Sequence, residues 1–165
     1  MTEPAYYPPW LADALLTDSF PWEQAVSTRL DAFLASYTLH DSDWITFNLD
    51  PSYDNGGLAV LRWDTFWTEG RVPFPGSSVA EWPILLIRFR RVSSFRLIGY
   101  DIDAPVPTRG IASAECKPLA ASQFMRTIVA DHWGGQLEVE HSPEVDILCM
   151  ARAGDAMSIP SFSAA

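Results

Sequence analysis

The chain has 165 residues, 48% of them hydrophobic, with 21 acidic and 11 basic side chains and a formal net charge of −10. That length suits one domain able to bury about two thirds of the surface its unfolded form exposes, and the acidic balance disfavours unassisted binding to a nucleic-acid backbone. No run reaches the roughly 18 apolar residues of a membrane span, and the opening MTEPAYYPPW lacks the basic start and unbroken apolar core of a secretion signal, so a cytoplasmic protein with no membrane partner is expected.

Helical signals come first. Pro4, Pro8 and Pro9 keep the first residues extended, and a short helix is expected over residues 10–16. A stronger helix is expected to follow, running to about residue 36. Asp18 and Ser19 offer N-cap oxygens, Pro21 suits the first turn, and Glu23 sits near the positive end of the dipole. Trp22, Val26, Leu30, Phe33 and Leu34 recur at helical spacing.

From residue 39 the period changes to two. Ile45, Phe47 and Leu49 fall on one side of an alternating run and Trp44, Thr46 and Asn48 on the other. Asn55-Gly56-Gly57 then marks a turn, and residues 58–63 have strand composition, which together predict an antiparallel hairpin. Residues 68–81, with Pro73, Pro75 and Gly76, read as an exposed connection. Ile84 to Ile87 are apolar on both faces and Arg88, Phe89 and Arg90 alternate, the pattern of a central strand whose far end meets solvent.

Further strands are expected over 95–101, 111–116, 136–140, 145–151 and 157–159, with a second proline-rich loop at 103–110 and tight turns at Gly134-Gly135 and Gly154. Residues 120–131 suit a helix through Phe124, Ile128 and Val129, or a strand through Phe124, Arg126 and Ile128. The strand is preferred because 136–140 reads as its hairpin return. Helices first and strands afterwards give an α+β fold. A single domain spanning 1–165 is expected, with N-terminal helices within residues 1–38 and a β-rich region over 39–160 that forms a mostly antiparallel sheet or sandwich.

Chemistry-bearing motifs are sparse. Cys116 and Cys149 stand far apart with no CxxC, which signals neither a disulfide framework nor a zinc knuckle. GxSxG, GxGxxG, GxxxxGK[ST] and HExxH are absent, so no enzyme activity, metal or cofactor is expected. His40, Asp41 and Asp43 have the types for metal binding or proton transfer, and Asp131, His132, Glu138, Glu140 and His141 would join them only if the sheet brought them together. A small metal-dependent enzyme using His40, Asp41, His132 and His141 is therefore one alternative, against which stands a plain turn-capping role for the acids. An anion-binding module is another. Arg88, Arg90, Arg91 and Arg96 would clamp a carboxylate or phosphate, unless they are paired with Asp101 and Asp103, which is the preferred reading.

Trp67 and Trp82 flank the proline-rich connection beside Asp64, Glu69 and Glu81, and serve either as interface anchors or, with greater weight, as buried anchors of the loop.

The order of these features resembles a group of small immunity proteins that protect bacteria from their own polymorphic or contact-delivered toxins. A His-Asp dipeptide opens the first strand after an N-terminal helix, as in Leu39-His40-Asp41-Ser42. A hairpin follows, then an apolar strand entering a short one (84–92, 95–101) and a last cysteine-bearing strand (145–151). The resemblance implies a mostly antiparallel β protein that binds a cognate toxin and blocks it without chemistry of its own. The tryptophan- and proline-rich insertion between Asp64 and Pro83 departs from that pattern. If the toxin is cation-rich, acidic loops would steer its approach, and the expected contacts are Asp64, Trp67, Glu69, Asp101 and Asp103.

Overall fold

A computed structural model describes residues 8–76, 81–99, 110–132 and 134–160. Among these lie two α-helices, α1 (Pro9–Thr17) and α2 (Leu30–Ser36), and strands β1 (Val26–Arg29), β2 (Asp43–Asp50), β3 (Gly56–Arg62), β4 (Ile84–Phe89), β5 (Ser94–Ile98), β6 (Ile111–Pro118), β7 (Met125–Asp131), β8 (Gln136–His141), β9 (Glu144–Arg152) and β10 (Asp155–Met157). The strands form two antiparallel sheets, one in the order β1-β9-β4-β3-β2 with β10 also on β9, the other in the order β5-β8-β7-β6.

The larger sheet is covered on both faces. Leu85, Ile87 and Phe89 of β4 join Leu61, Trp63, Val145, Ile147 and Cys149 in a core shared with α2 and with Leu137 and Val139 of β8. Ile84 and Leu86 face the other way, onto Leu11 and Ala14 of α1 and Phe20. The four residues Ile84 to Ile87 are each at most 3% exposed, and at about 1.5–3 kcal/mol per fully buried aliphatic side chain they make β4 the main apolar anchor of the fold.

The expected long helix ending near residue 36 does not form. Trp22–Gln24 is a single 3-10 turn, and Val26–Arg29 is strand β1, paired antiparallel with β9 through Val26↔Ile147 to Arg29↔Glu144. Only Leu30–Ser36 is helical. Val26, Ser27 and Thr28 have weak helix preference, and the open edge of β9 gives their backbone a ladder that an isolated helical turn cannot match. Asp18, expected to start that helix, instead closes α1, with φ 50 and its N–H bonded to the Ala14 carbonyl.

The hairpin β2–β3 is present, with a shift in phase. A bulge between Trp44 and Thr46 moves Ile45 to the α1 side, while Trp44 and Phe47 pack on the inter-sheet core. Ile45, Phe47 and Leu49 therefore do not share one face, because the extra residue reverses the alternation. The positive φ values fall on Asp54 and Asn55 (48 each). Gly56 is needed for space: a Cβ there would lie 2.1 Å from the Phe89 carbonyl oxygen. Residues 125–131 are strand, which resolves the helix-or-strand choice at 120–131 in favour of β7 and its hairpin with β8.

Gly56→Ala is expected to lower stability by about 1–3 kcal/mol, the usual cost of forcing atoms into packed space. Urea unfolding measures it, and an unchanged midpoint would show that the β3–β4 approach yields without cost.

Candidate functional site

Residues 64–74 form a braced turn after β3. Asp64 caps the 3-10 turn Thr65–Thr68, its carboxylate accepting from the Phe66 N–H at 3.1 Å. The buried Thr68 hydroxyl donates to the Thr65 carbonyl at 2.7 Å and accepts from the Val72 N–H at 3.2 Å, while the Thr65 hydroxyl donates to the Pro73 carbonyl at 2.8 Å. These bonds spend the polar groups inward and leave aromatic rings outside. Phe66 is 60% exposed, Trp67 43% and Phe74 42%, and Phe66 meets both Trp67 and Phe74 edge-to-face with centroids 5.2 and 5.7 Å apart.

This arrangement revises the expected contacts. Trp67 and Glu69 are on the surface, and Glu69 holds a left-handed φ of 56. Asp64 is buried beneath the turn that it caps. Burial raises the pKa of Asp64, against its bonds from the Phe66 N–H and the Trp67 side chain. Asp101 and Asp103 lie outside the described residues. Trp82 is held by its indole N–H, which donates to the Gly76 carbonyl. Phe66 and Phe74 were missed as site residues, although a phenylalanine on each side of Trp67 in a proline-bounded turn was a visible signal.

Beside the aromatic turn the two sheets meet. The Asp41 N–H donates to the Ile111 carbonyl at 2.9 Å, the Ile111 N–H to Ser42 at 2.8 Å, and the His132 N–H to Gly110 at 3.1 Å. His40 and Asp41 therefore sit in a turn before β2, where Asp41 has φ 63, and not at the opening of a strand as the resemblance implies. His132 Nε2 lies 3.2 Å from Asp41 Oδ1 and His40 Nε2 lies 3.4 Å from Oδ2. The His40 ring contacts those of Trp67 and His132 at 5.4 and 5.9 Å.

His141 belongs elsewhere. It is fully buried in the inter-sheet core, with Nδ1 on the Ser142 carbonyl and Nε2 on the Thr127 hydroxyl, both at 2.6 Å. Its Nδ1 faces a carbonyl and must carry the proton, so Nε2 accepts from Thr127. Burial lowers its pKa to about 4, against the Ser142 bond, which raises it. The four-residue metal site weighed from sequence is thus split, and among the described residues no group of three or more His, Cys, Asp or Glu is arranged to hold a metal ion.

The arginines are also engaged. A row across β1, β9 and β4 places Ser27, Asp146 and Arg88 side by side. Asp146 accepts from the Ser27 and Tyr53 hydroxyls at 2.6 Å each, from Arg90 at 2.6 Å and from Arg88 at 3.3 Å. Arg88 is stacked between the rings of Trp22 and Tyr53, 4.0 and 3.6 Å from their centroids. Burial pushes the Asp146 carboxyl up, and the donors from Ser27, Tyr53 and Arg90 together outweigh it, leaving the pKa at about 2. Arg96 lies on the other sheet, paired with Glu138 at 2.6 Å. Arg88, Arg90 and Arg96 do not form one anion clamp; among the described residues they are paired with the acids Asp146, Glu144 and Glu138, while Asp101 and Asp103 lie outside the described residues. Of the eleven basic side chains, Arg29, Arg88, Arg90, Arg96, Lys117, Arg126 and Arg152 are tied in ion pairs, so the excess acid dominates the exterior.

Among the described residues, a cavity of about 30 Å³ lies between the sheets beside Trp44, Leu97 and Ile111, far below the hundreds of cubic ångströms a small-molecule site needs, and a hollow of about 250 Å³ lies beside Lys117, Arg126 and Ile128. An open groove of about 460 Å³ runs past Arg29, Arg90 and Glu144, whose charges are already paired. The Cys149 thiol is pushed by burial up to about 12, which makes it a poor nucleophile. No helix among the described residues is long and apolar enough to cross a membrane. Compared with known proteins, the chain matches no family model, no curated protein and no solved structure.

Two buried groups predict acid sensitivity in two stages. His141 is held neutral, with a folded pKa below its unfolded value, so its contribution is full above about pH 6.5 and is lost as the pH falls through about 4, at about 3 kcal/mol. Asp146 is held charged, so its contribution is lost lower, between about pH 4 and about 2. Asp43 acts in the opposite sense: burial, only partly offset by Arg62, raises its pKa to about 6, so its contribution falls away as the pH rises through 6. Denaturant midpoints of wild type, His141→Asn and Asp146→Asn across pH 2–8 separate these contributions. Wild type is expected to lose stability relative to His141→Asn from pH 6.5 to 4, and parallel curves would overturn the assignment.

Proposed function

We propose that this chain is a binding protein of the immunity type, which neutralises a cognate bacterial toxin by direct contact through its acidic exterior and performs no chemistry itself. The observation that carries this reading is the exposed Phe66–Trp67–Phe74 cluster on a braced turn. Large aromatic side chains are enriched at the cores of interfaces, and tryptophan in particular among the residues that carry most of the binding energy. The bracing matters because a partner then meets rings that are already ordered and loses little conformational entropy on docking. The acidic excess would draw a basic toxin towards the surface and speed association.

Trp67 is the anchor among the expected contacts, with Glu69 at its rim and Asp64 supporting it from below. The small interior cavity and the paired arginines give an anion-binding module or a substrate-converting site little to work with.

Co-expression with the product of the neighbouring gene tests the reading: a stable complex and relief of toxicity are expected, and the absence of both would sink it. Within that complex Trp67→Ala is expected to weaken affinity roughly 30-fold or more, the scale of a hot-spot aromatic, with the free protein still folded but its thermal midpoint lowered by loss of the bond to Asp64. An unaltered affinity would move the interface away from this turn.

A further inference from the structure

The notch between His40, Asp41 and Trp67 sets an imidazole nitrogen and a carboxylate oxygen side by side, both open to solvent, against an exposed indole ring. His40 Nδ1 lies 3.0 Å from the Ala112 carbonyl oxygen, which only accepts, so Nδ1 carries the proton. With Nδ1 committed in this way, Nε2 is the ring atom free to meet a ligand, and it lies 3.4 Å from Asp41 Oδ2, so one donor group can serve both atoms. His132 donates to the other oxygen, Oδ1, and leaves Oδ2 to the notch. All three side chains are partly open to solvent, and the Trp67 ring forms a wall beside His40.

What fits is a flat cation with several donors in fixed directions. We infer that this notch receives an arginine side chain of the partner protein, its guanidinium donating to His40 Nε2 and Asp41 Oδ2 together while its stem lies along Trp67. A guanidinium presents its N–H groups as a planar fork and stacks on aromatic faces, whereas an ammonium is a compact, strongly hydrated point charge. The occupant's charge agrees with the net charge of −10 and with the pairing of most of the chain's own basic groups. The inference rests on the immunity-type reading for the nature of the partner, and not for the chemistry of the notch.

The test uses the full chain and a blocked Gly-Arg-Gly peptide as probe, followed at pH 8 by the side-chain nitrogen resonances of His40 and the indole resonance of Trp67. Saturable movement of both is expected. Asp41→Asn should weaken binding at least 5-fold, and asparagine keeps the shape and tolerates the left-handed backbone at this position. Glu115→Gln makes the same change in charge on an exposed strand position and should leave binding unaltered. Three results would overturn the assignment: no movement at His40, an equal response to Gly-Lys-Gly, or equal weakening by Glu115→Gln. Stoichiometric zinc that co-purifies with the chain and is lost in His40→Ala would overturn it in favour of a metal. The two readings fail separately. A chain that binds the neighbouring product and ignores the arginine peptide loses only the notch, and one that takes the peptide but forms no complex loses only the immunity reading.

Discussion

Burial of β4 on both faces is the constraint from which the rest of the structure follows. A strand reading Ile-Leu-Leu-Ile cannot leave either side in water, so one side takes α1 and Phe20 and the other takes α2 and the second sheet. Its neighbours β3 and β9 inherit the same demand, which is why Val60 and Leu61, or Leu148 and Cys149, point to opposite cores. Where β4 ends, Arg88 emerges from the apolar region and needs an anion. Asp146 on β9 supplies it, with Trp22 and Tyr53 covering the guanidinium faces. A buried carboxylate is stable only because hydroxyl and guanidinium donors surround it.

The second consequence lies at the opposite end of β3. Beyond Arg62 the chain must leave the sheet, and it does so through a turn whose hydroxyls bond inward to its own backbone. Hydroxyls satisfied in this way have nothing to offer solvent, and the large apolar side chains left to face outward are Phe66, Trp67 and Phe74, beside the exposed Glu69 and Arg71. The same corner is where the Asp41–Asp43 segment ties to Gly110 and Ile111 of the other sheet. That junction, and no local preference, brings His132 from the end of β7 against His40 and Asp41. An aromatic ledge and an acceptor-rich notch thus share one edge of the molecule.

Much of the β-rich region was legible in residues. Both arms of β2–β3, the two-faced β4, and the β7–β8 hairpin rest on side-chain period and turn chemistry that act over a few positions, and they form as those signals indicate. Reading failed where a distant partner outbid a local pattern. Val26 to Arg29 had helical spacing and became a strand because β9 lay open beside it. Ile45 changed faces because one bulged residue reverses an alternation that sequence alone counts without interruption.

The functional residues divide along the same line. The acidic surplus, the lack of a catalytic motif and the aromatic, proline-bounded turn are properties of composition and order, so the chain by itself determined them. Which charges stay free, which histidine is sealed in the core, and which two face one carboxylate were decided only by tertiary structure. Residues 40, 132 and 141 are chemically the same along the chain, and only the crossing of two sheets, through hydrogen bonds that join positions some 70 to 90 apart in sequence, makes one a core group and the other two a surface pair.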